Sequence, residues 1–311
     1  MMKVALIGCG YWGKNYVSTI KKSKVMELVW ICDPKPSLKK KDCPSSCKLT
    51  ANYSDILEDH QVRGIIIATP PKTHYELARK ALMSGKHVLI EKPMVDNSAK
   101  ARSLIKISKD RSLILMVGHL YLYHPAITKI KKLLASGELG QVRYIYSRRS
   151  AFGPIRENLG VLWNLSPHDI SIANYLTRRT PIAVSTNRAG LATDKDKDPW
   201  AAEIILDYGA GLKSFSHLSL LEPKKTREIT IVGSKKTLIF DDLSDNQLKI
   251  FDASTNTEKT IRIKKITPLE DQCQHFFDCV KDNKTPLTDG QNGLENVLII
   301  ESLLKSQRKQ K

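Results

Sequence analysis

Over the first 120 residues, short apolar runs alternate with stretches of helical periodicity. Residues 4–7, 28–32, 64–68, 87–90 and 113–117 are each four or five long and rich in Val, Ile and Leu. Continuous apolar runs of this length suit strands covered on both faces, as in a parallel sheet. Between them, 16–22, 73–84 (with Gly85 as C-cap) and 97–109 read as helices. This alternation predicts a doubly wound α/β domain. The rhythm changes near residue 120. A helix pattern at 125–135 leads to a strand pattern at 142–149 and a second helix at 166–177. Strand patterns then follow at 202–208, 212–221, 228–232, 237–241, 248–251 and 260–263, joined by short turns holding Gly, Asp or Asn. Successive strands on hairpin-length connections predict an antiparallel sheet. Helix patterns at 268–280 and 290–302 close the chain. Two domains are expected, 1–120 and 121–311.

Composition narrows the class. Of 311 residues, 41% are hydrophobic and 26% charged, the balance of a folded globular chain. Apolar runs such as 65–68 and 113–117 fall far short of the roughly 20 residues of a membrane helix. No basic-flanked apolar leader is read at the start, and six scattered cysteines suggest reduced thiols in a cytoplasmic protein. The net charge of +18 raises nucleic acid as a partner. However, the lysines are spread along the chain, and the dense run at 39–41 has no interleaved aromatics. A solvated basic surface that attracts an anionic small molecule is the better reading, with neither nucleic acid nor membrane expected.

Gly8-Cys9-Gly10-Tyr11-Trp12-Gly13 lies between the first strand and a helix pattern, the context a dinucleotide-binding turn requires. The first glycine permits the tight turn, the second lets backbone approach a pyrophosphate, and the third lets the helix pack on the strand. Free N–H groups at the helix start then face the phosphates. Asp33 ends the next strand, 20 residues beyond Gly13. A carboxylate there bonds the ribose hydroxyls and repels a 2′-phosphate, so NAD is favoured over NADP. Lys35 and Lys39 to Lys41 are the feature that would tolerate the phosphate.

Ala68-Thr69-Pro70-Pro71 at one strand end, His74 just beyond it, Glu91-Lys92-Pro93 at the next, and Pro286-Leu287-Thr288-Asp289-Gly290 near the end of the chain follow in order. Together with the glycine turn they resemble the glucose–fructose oxidoreductase/inositol dehydrogenase/rhizopine (Gfo/Idh/MocA) family over nearly the whole chain. The resemblance implies a Rossmann domain with a doubly wound parallel sheet, then a C-terminal α+β domain with a large, open, mostly antiparallel sheet. It implies an NAD(P)-dependent oxidoreductase acting on a sugar, cyclitol or sugar nucleotide, as a homodimer or homotetramer joined through that sheet. The implied cofactor contacts are Gly8, Gly10, Tyr11, Trp12, Gly13, Asp33, Thr69, Pro70, His74, Glu91 and Lys92. Hydride exchange with a carbinol needs a base and positive charge near the developing alkoxide. By the resemblance, Lys92 sits beside the nicotinamide and bonds the reacting oxygen, and its place at a strand's carboxyl end fits.

The expected base is His168. Ser166-Pro167-His168-Asp169 reads as a helix start, with Ser166 as N-cap, Pro167 at N1 and Asp169 completing a capping box. In that first turn the helix dipole disfavours the imidazolium. The family places a His four residues after an acidic partner, whereas this chain has Asn164 there. Asparagine orients an imidazole but does not stabilise its cation as a carboxylate does. Branches handling nucleotide-linked amino sugars tolerate that Asn, which hints at the substrate class.

Further substrate-contact candidates are His119, Tyr121, Arg148 and Trp163, with Tyr123 and Arg149 beside them in sequence. Arginines near strand ends can grip a diphosphate bidentately, and a solvated sheet face is the equal alternative for the two. Cys43 and Cys47 form a CxxxC without a nearby His or third Cys, so no metal site is expected. The leading reading is an NAD-dependent dehydrogenase acting at C3 of a UDP-linked N-acetylated amino sugar. A cyclitol or free-sugar dehydrogenase is the alternative, and a non-catalytic cofactor-binding regulator is the alternative of another class.

Overall fold

The structure, a computed structural model, describes residues 1–34, 43–153, 159–189, 198–245, 247–264 and 266–306. Lys35 and Lys39 to Lys41 lie outside the described residues. The chain divides into two compact units: Met1–Leu120 with Ile266–Val297, and Tyr121–Lys265 with Leu298–Lys311.

The first unit is built on β1 (Met2–Ile7), β2 (Met26–Cys32), β3 (Lys48–Thr50), β4 (Gly64–Ile67), β5 (His87–Ile90) and β6 (Leu115–Val117), with helices α1 (Gly13–Lys21), α2 (Ser54–Glu58), α3 (His74–Met83) and α4 (Ser98–Asp110). The strands form one parallel sheet in the order β3-β2-β1-β4-β5-β6. Val4, Leu6, Ile65, Ile67, Val88 and Ile90 are all buried, as the unbroken apolar runs require of a sheet covered on both faces. The order reverses between β1 and β4, the place where doubly wound sheets bind ligands at their carboxyl ends. Asn97 caps α4 by accepting the Lys100 N–H at 2.9 Å. Gly85, at φ +73°, turns the chain out of α3.

The sequence pattern assigns everything after 120 to one domain, whereas α8 (Pro268–Asp282) groups with the first unit. Phe276 packs against Gly64, where a Cβ would come within 3.0 Å of its ring, and Gln272 donates to the Tyr16 hydroxyl at 2.8 Å. Thr288 and Val117 bond backbone to backbone at 2.7 Å, extending the edge at β6. The helix α9 (Gly290–Ser306) carries residues of both units.

The second unit holds α5 (Pro125–Ala135), β7 (Val142–Ser150), α6 (Val161–Asn164), α7 (Ser166–Thr177), β8 (Ala183–Ala189), β9 (Ala201–Asp207), β10 (Lys213–Ser219), β11 (Thr226–Gly233), β12 (Lys236–Asp241), β13 (Leu248–Asp252) and β14 (Thr257–Thr260). Its sheet runs β14-β13-β12-β11-β7-β10-β9-β8. All pairs are antiparallel except β7 with β10, which is parallel. One face is covered: Ile127 and Ile130 of α5 and Ile172 of α7 pack on Ile145, Ile229, Ile231, Leu238 and Phe240. The other face carries Tyr144, Tyr146 and Phe215. The last strand ends at Thr260, earlier than the 260–263 pattern suggests, and Ile261 and Ile263 pack onto the core as loop residues.

Candidate active site

In the first unit, each motif glycine has a steric reason. A Cβ on Gly13 would lie 2.2 Å from the Gly8 carbonyl oxygen, so only glycine lets α1 pack against the turn. Gly8 has φ +89°, and a Cβ there would meet the Ala68 oxygen at 2.8 Å. Gly10 faces open space, with nothing within 4 Å of where a Cβ would be. α1 starts with no side-chain cap and no acidic residue in its first turn; the Lys14 and Asn15 N–H groups bond Gly10 O at 3.2 Å and Trp12 O at 3.0 Å, so it is the uncompensated positive end of the helix dipole that suits a pyrophosphate. The half-buried Asp33 accepts the Cys9 N–H at 2.7 Å, which anchors its carboxylate beside this turn. These residues fit a dinucleotide. Tyr11 is 85% exposed at the rim.

Two of the expected cofactor contacts, His74 and Glu91, are buried and bonded within the first unit. His74 is fully buried and bridges Thr69 O and Pro93 O, 2.9 Å from each ring nitrogen. Burial pushes its pKa below the usual imidazole range, and it ties the Thr69–Pro70 turn to the Glu91-Lys92-Pro93 segment. Glu91 is also buried. Its Oε1 accepts from Trp12 Nε1 at 2.6 Å and from the Tyr16 hydroxyl at 2.7 Å, and its Oε2 accepts the Lys92 N–H at 3.2 Å. Burial raises the Glu91 pKa, and these donors and the Lys92 charge oppose that rise. The carboxylate thus fixes the backbone of Lys92 to α1. Lys92 is half-buried at the carboxyl end of β5. Its charge also reaches His119, which is 1% exposed and contacts Asn292 Oδ1 through Nδ1 at 2.6 Å. Burial, with Lys92 adding to it, pushes His119 down to about 4. His119 is therefore a neutral, enclosed neighbour of Lys92 rather than an open contact surface.

In the second unit, α6 runs into α7 through Leu165, whose φ −101° and ψ −44° keep it helical. This overturns the expected capping box. Ser166 is already inside the helix and donates to Leu162 O at 2.6 Å, and the His168 N–H is taken by Leu165 O at 3.2 Å. Asp169 does not cap; its Oδ2 accepts from Arg149 Nε at 2.7 Å, with both side chains buried. With α6 continuing into α7, His168 does not stand at the exposed N-terminal end of a helix, where the dipole would disfavour its cation. Asn164 and His168 remain one helical turn apart across the junction.

His168 packs edge-on against Tyr121, with ring centroids 5.1 Å apart at 73°. The Tyr121 hydroxyl donates to Asp242 at 2.9 Å and accepts from Arg149 at 3.1 Å, while the guanidinium lies 4.6 Å from the ring centre. Arg227 and His124 complete the shell around Asp242, which holds its carboxyl well below the usual range. Tyr121 and Tyr123 are buried, so Tyr121 is a shelf under His168. Arg148 and Arg149 do not form a clamp, because neighbours on a strand point to opposite faces. Arg149 lies beneath α7, and Arg148 pairs with Glu222 at 2.7 Å on the other face, away from His168. Trp163 is half-buried on α6, and its N–H donates to Asp198 at 3.1 Å. The sequence reading missed Asp198, Asn292, Asp242 and Gln272, since each acts through a partner distant in sequence.

Among the described residues, no group of three or more His, Cys, Asp or Glu is arranged to hold a metal. The six cysteines are free and buried, and burial pushes Cys47 up to about 12, away from the thiolate a metal needs. Among the described residues, no helix is long and apolar enough to cross a membrane.

Two sequence-family models match: the NAD-binding Rossmann fold of the GFO_IDH_MocA oxidoreductase family over residues 2–119, and the GFO/IDH/MocA C-terminal domain over 127–239. The chain is 25% identical over 302 residues to the UDP-N-acetylglucosamine 3-dehydrogenase of Acidithiobacillus ferrooxidans, covering 94% of this chain and 93% of that one. The solved structure of that enzyme aligns with a TM-score of 0.85 over 98% of both chains at 22% identity. The scyllo-inositol 2-dehydrogenase (NAD(+)) of Bacillus subtilis is 26% identical over 306 residues, covering 92% of this chain and 88% of that one. An Agrobacterium radiobacter oxidoreductase, solved with NAD+, L-tartaric acid and magnesium, aligns with a TM-score of 0.85 at 20% identity, over 100% of this chain and 97% of that one.

Proposed function

From the fact that the chain belongs to the Gfo/Idh/MocA family of NAD-binding oxidoreductases, we propose that it moves a hydride between a nicotinamide cofactor and a secondary alcohol of a sugar, at C3 of a UDP-linked N-acetylated amino sugar. The observation that carries the reading is Lys92, whose backbone is tied through Glu91 to Trp12 and Tyr16 of the glycine-turn helix. The bound nicotinamide supplies the hydride acceptor. Lys92 donates to the substrate oxygen and stabilises the charge that grows there as the hydride leaves carbon. His168 takes the hydroxyl proton, and Asn164 orients the imidazole. Asp33 makes NAD the preferred cofactor, because a 2′-phosphate would meet its carboxylate.

The amino-sugar assignment is supported by Asn164 and by near full-length similarity to the Acidithiobacillus enzyme. The similarity to the Bacillus inositol enzyme supports a cyclitol as the second reading. The exposed aromatic face of the second sheet, where Phe215 pairs in register with Tyr146, supports a homo-oligomer joined through that face. Six free thiols suit a reducing cytoplasm. The test is NADH absorbance with NAD+ and a panel of UDP-N-acetyl amino sugars, free sugars and inositols. Turnover with UDP-linked amino sugars supports the reading. Turnover confined to inositols replaces it, and no turnover with any pair supports a cofactor-binding regulator.

A further inference from the structure

Asp198 stands just outside the residues that any motif would select. Its two carboxylate oxygens take consecutive N–H groups of α6, from Leu162 at 2.8 Å and from Trp163 at 3.1 Å. The neighbouring Pro199 carbonyl takes the Val161 N–H at 2.7 Å. Gly160 leaves room for this clamp: a Cβ there would lie 2.4 Å from the Asp198 and Pro199 carbonyl oxygens. α6 has four residues and no cap from its own sequence, so its start is held from outside. α6 carries Trp163 and Asn164 and continues through Leu165 to His168. We propose that Asp198 is a positioning residue, whose ionised carboxylate clamps the start of α6 and so sets the placement of Asn164 and His168.

Protonation turns one of these oxygens into a hydroxyl, a much weaker acceptor than a carboxylate oxygen, so the N–H bond to it is weakened. Among the described residues, the α6 side presents the backbone N–H groups of Leu162, Trp163 and Gly160, and from β8 the Arg188 guanidinium acts on Asp198. Burial outweighs both and pushes Asp198 up to about 6. A carboxyl raised above its ordinary range binds its proton more tightly in the folded chain, so folding stability is lost as pH rises from about 4 through about 6. The fold therefore holds a carboxylate whose ionisation costs global stability, while that ionisation completes the clamp.

The catalytic consequence rests on the proposed roles of Asn164 and His168, but the structural one does not, and the experiment separates them. The full chain, labelled with 5-fluorotryptophan, is titrated from pH 5 to 8 by fluorine NMR. The Trp163 signal is assigned by its loss in Trp163→Phe. The clamp predicts that this signal titrates with a midpoint near 6, as Asp198 does, that it persists in His168→Gln, and that it vanishes in Asp198→Asn. A flat signal in the wild type, or an unchanged titration in Asp198→Asn, overturns the proposal. Asp198→Glu, which keeps the charge, should retain a titration with a displaced midpoint. This guards against misfolding of the first variant. With substrate, Asp198→Asn should lower kcat by about 10²-fold, the cost of roughly 1 Å of misplacement, with the KM for cofactor unchanged. An intact titration with no turnover in the wild type would refute the dehydrogenase reading and leave the clamp standing.

Discussion

Arg149→Met tests how the second unit supports His168. Arg149 and Asp169 are joined at 2.7 Å, with side-chain exposures of 7% and 1%. Among the described residues Asp169 Oδ1 has no hydrogen-bond partner, so the arginine supplies the compensation for a buried carboxylate. Methionine keeps much of the packing against Tyr121 but strands that charge. Removing one partner of a buried pair costs about 3–5 kcal/mol. For a unit of this size that corresponds to a fall in Tm of roughly 6–20 °C. The assay is urea unfolding of the whole chain, followed by amide exchange in β7 and α7, so that the second unit is read by itself. The double variant Arg149→Met/Asp169→Leu removes both charges and should recover most of the loss, because apolar replacement of a buried pair is close to neutral. A single variant within about 1 kcal/mol of wild type, or a double variant no better than the single, would refute this reasoning.

Asp33→Ala should weaken NAD binding by about 10- to 150-fold, the worth of hydrogen bonds to a charged group, and leave NADP binding far less affected; equal losses in calorimetric titrations would remove the cofactor argument. Gly13→Ala forces a Cβ to 2.2 Å from the Gly8 oxygen and should destabilise the first unit by about 1–3 kcal/mol while abolishing cofactor binding, read by thermal unfolding with and without NAD+. His168→Ala should lower kcat about 10²- to 10⁴-fold. Asn164→Asp should move the acidic limb of the pH–rate profile upward, since a carboxylate beside an imidazole favours its cation; a limb that stays in place shows that the two side chains are uncoupled.

The first sheet was legible because its strands are unbroken apolar runs, and the glycine turn because the backbone admits nothing larger at Gly8 and Gly13. What escaped was short, polar or non-local. β3 has three residues, and the edge strand β8, Ala-Val-Ser-Thr-Asn-Arg-Ala, is mostly exposed and polar. The parallel pairing of β7 with β10 joins residues far apart in the chain, which a reading of consecutive hairpins does not anticipate. Site residues follow the same division. Glu91 and Lys92 stood out as a motif, but the partners of Glu91 lie 75 and 79 residues away, so its role as an anchor between α1 and Lys92 needed the fold. His74 staples Thr69 to Pro93, a role that likewise needed the fold. Ser166 had the sequence of a cap, but helical Leu165 joined two helices and left nothing to cap. The alternation of β7 separates Arg148 from Arg149, a consequence that depends on knowing which face α7 covers.

The most direct test of the central claim is steady-state NADH formation from NAD+ and UDP-N-acetylglucosamine, measured at 340 nm for wild type and Lys92→Ala, with NAD+ affinity measured in parallel. The expected result is turnover by the wild type and a loss in Lys92→Ala that falls on kcat rather than KM, with NAD+ binding retained. Turnover in Lys92→Ala equal to wild type would contradict it.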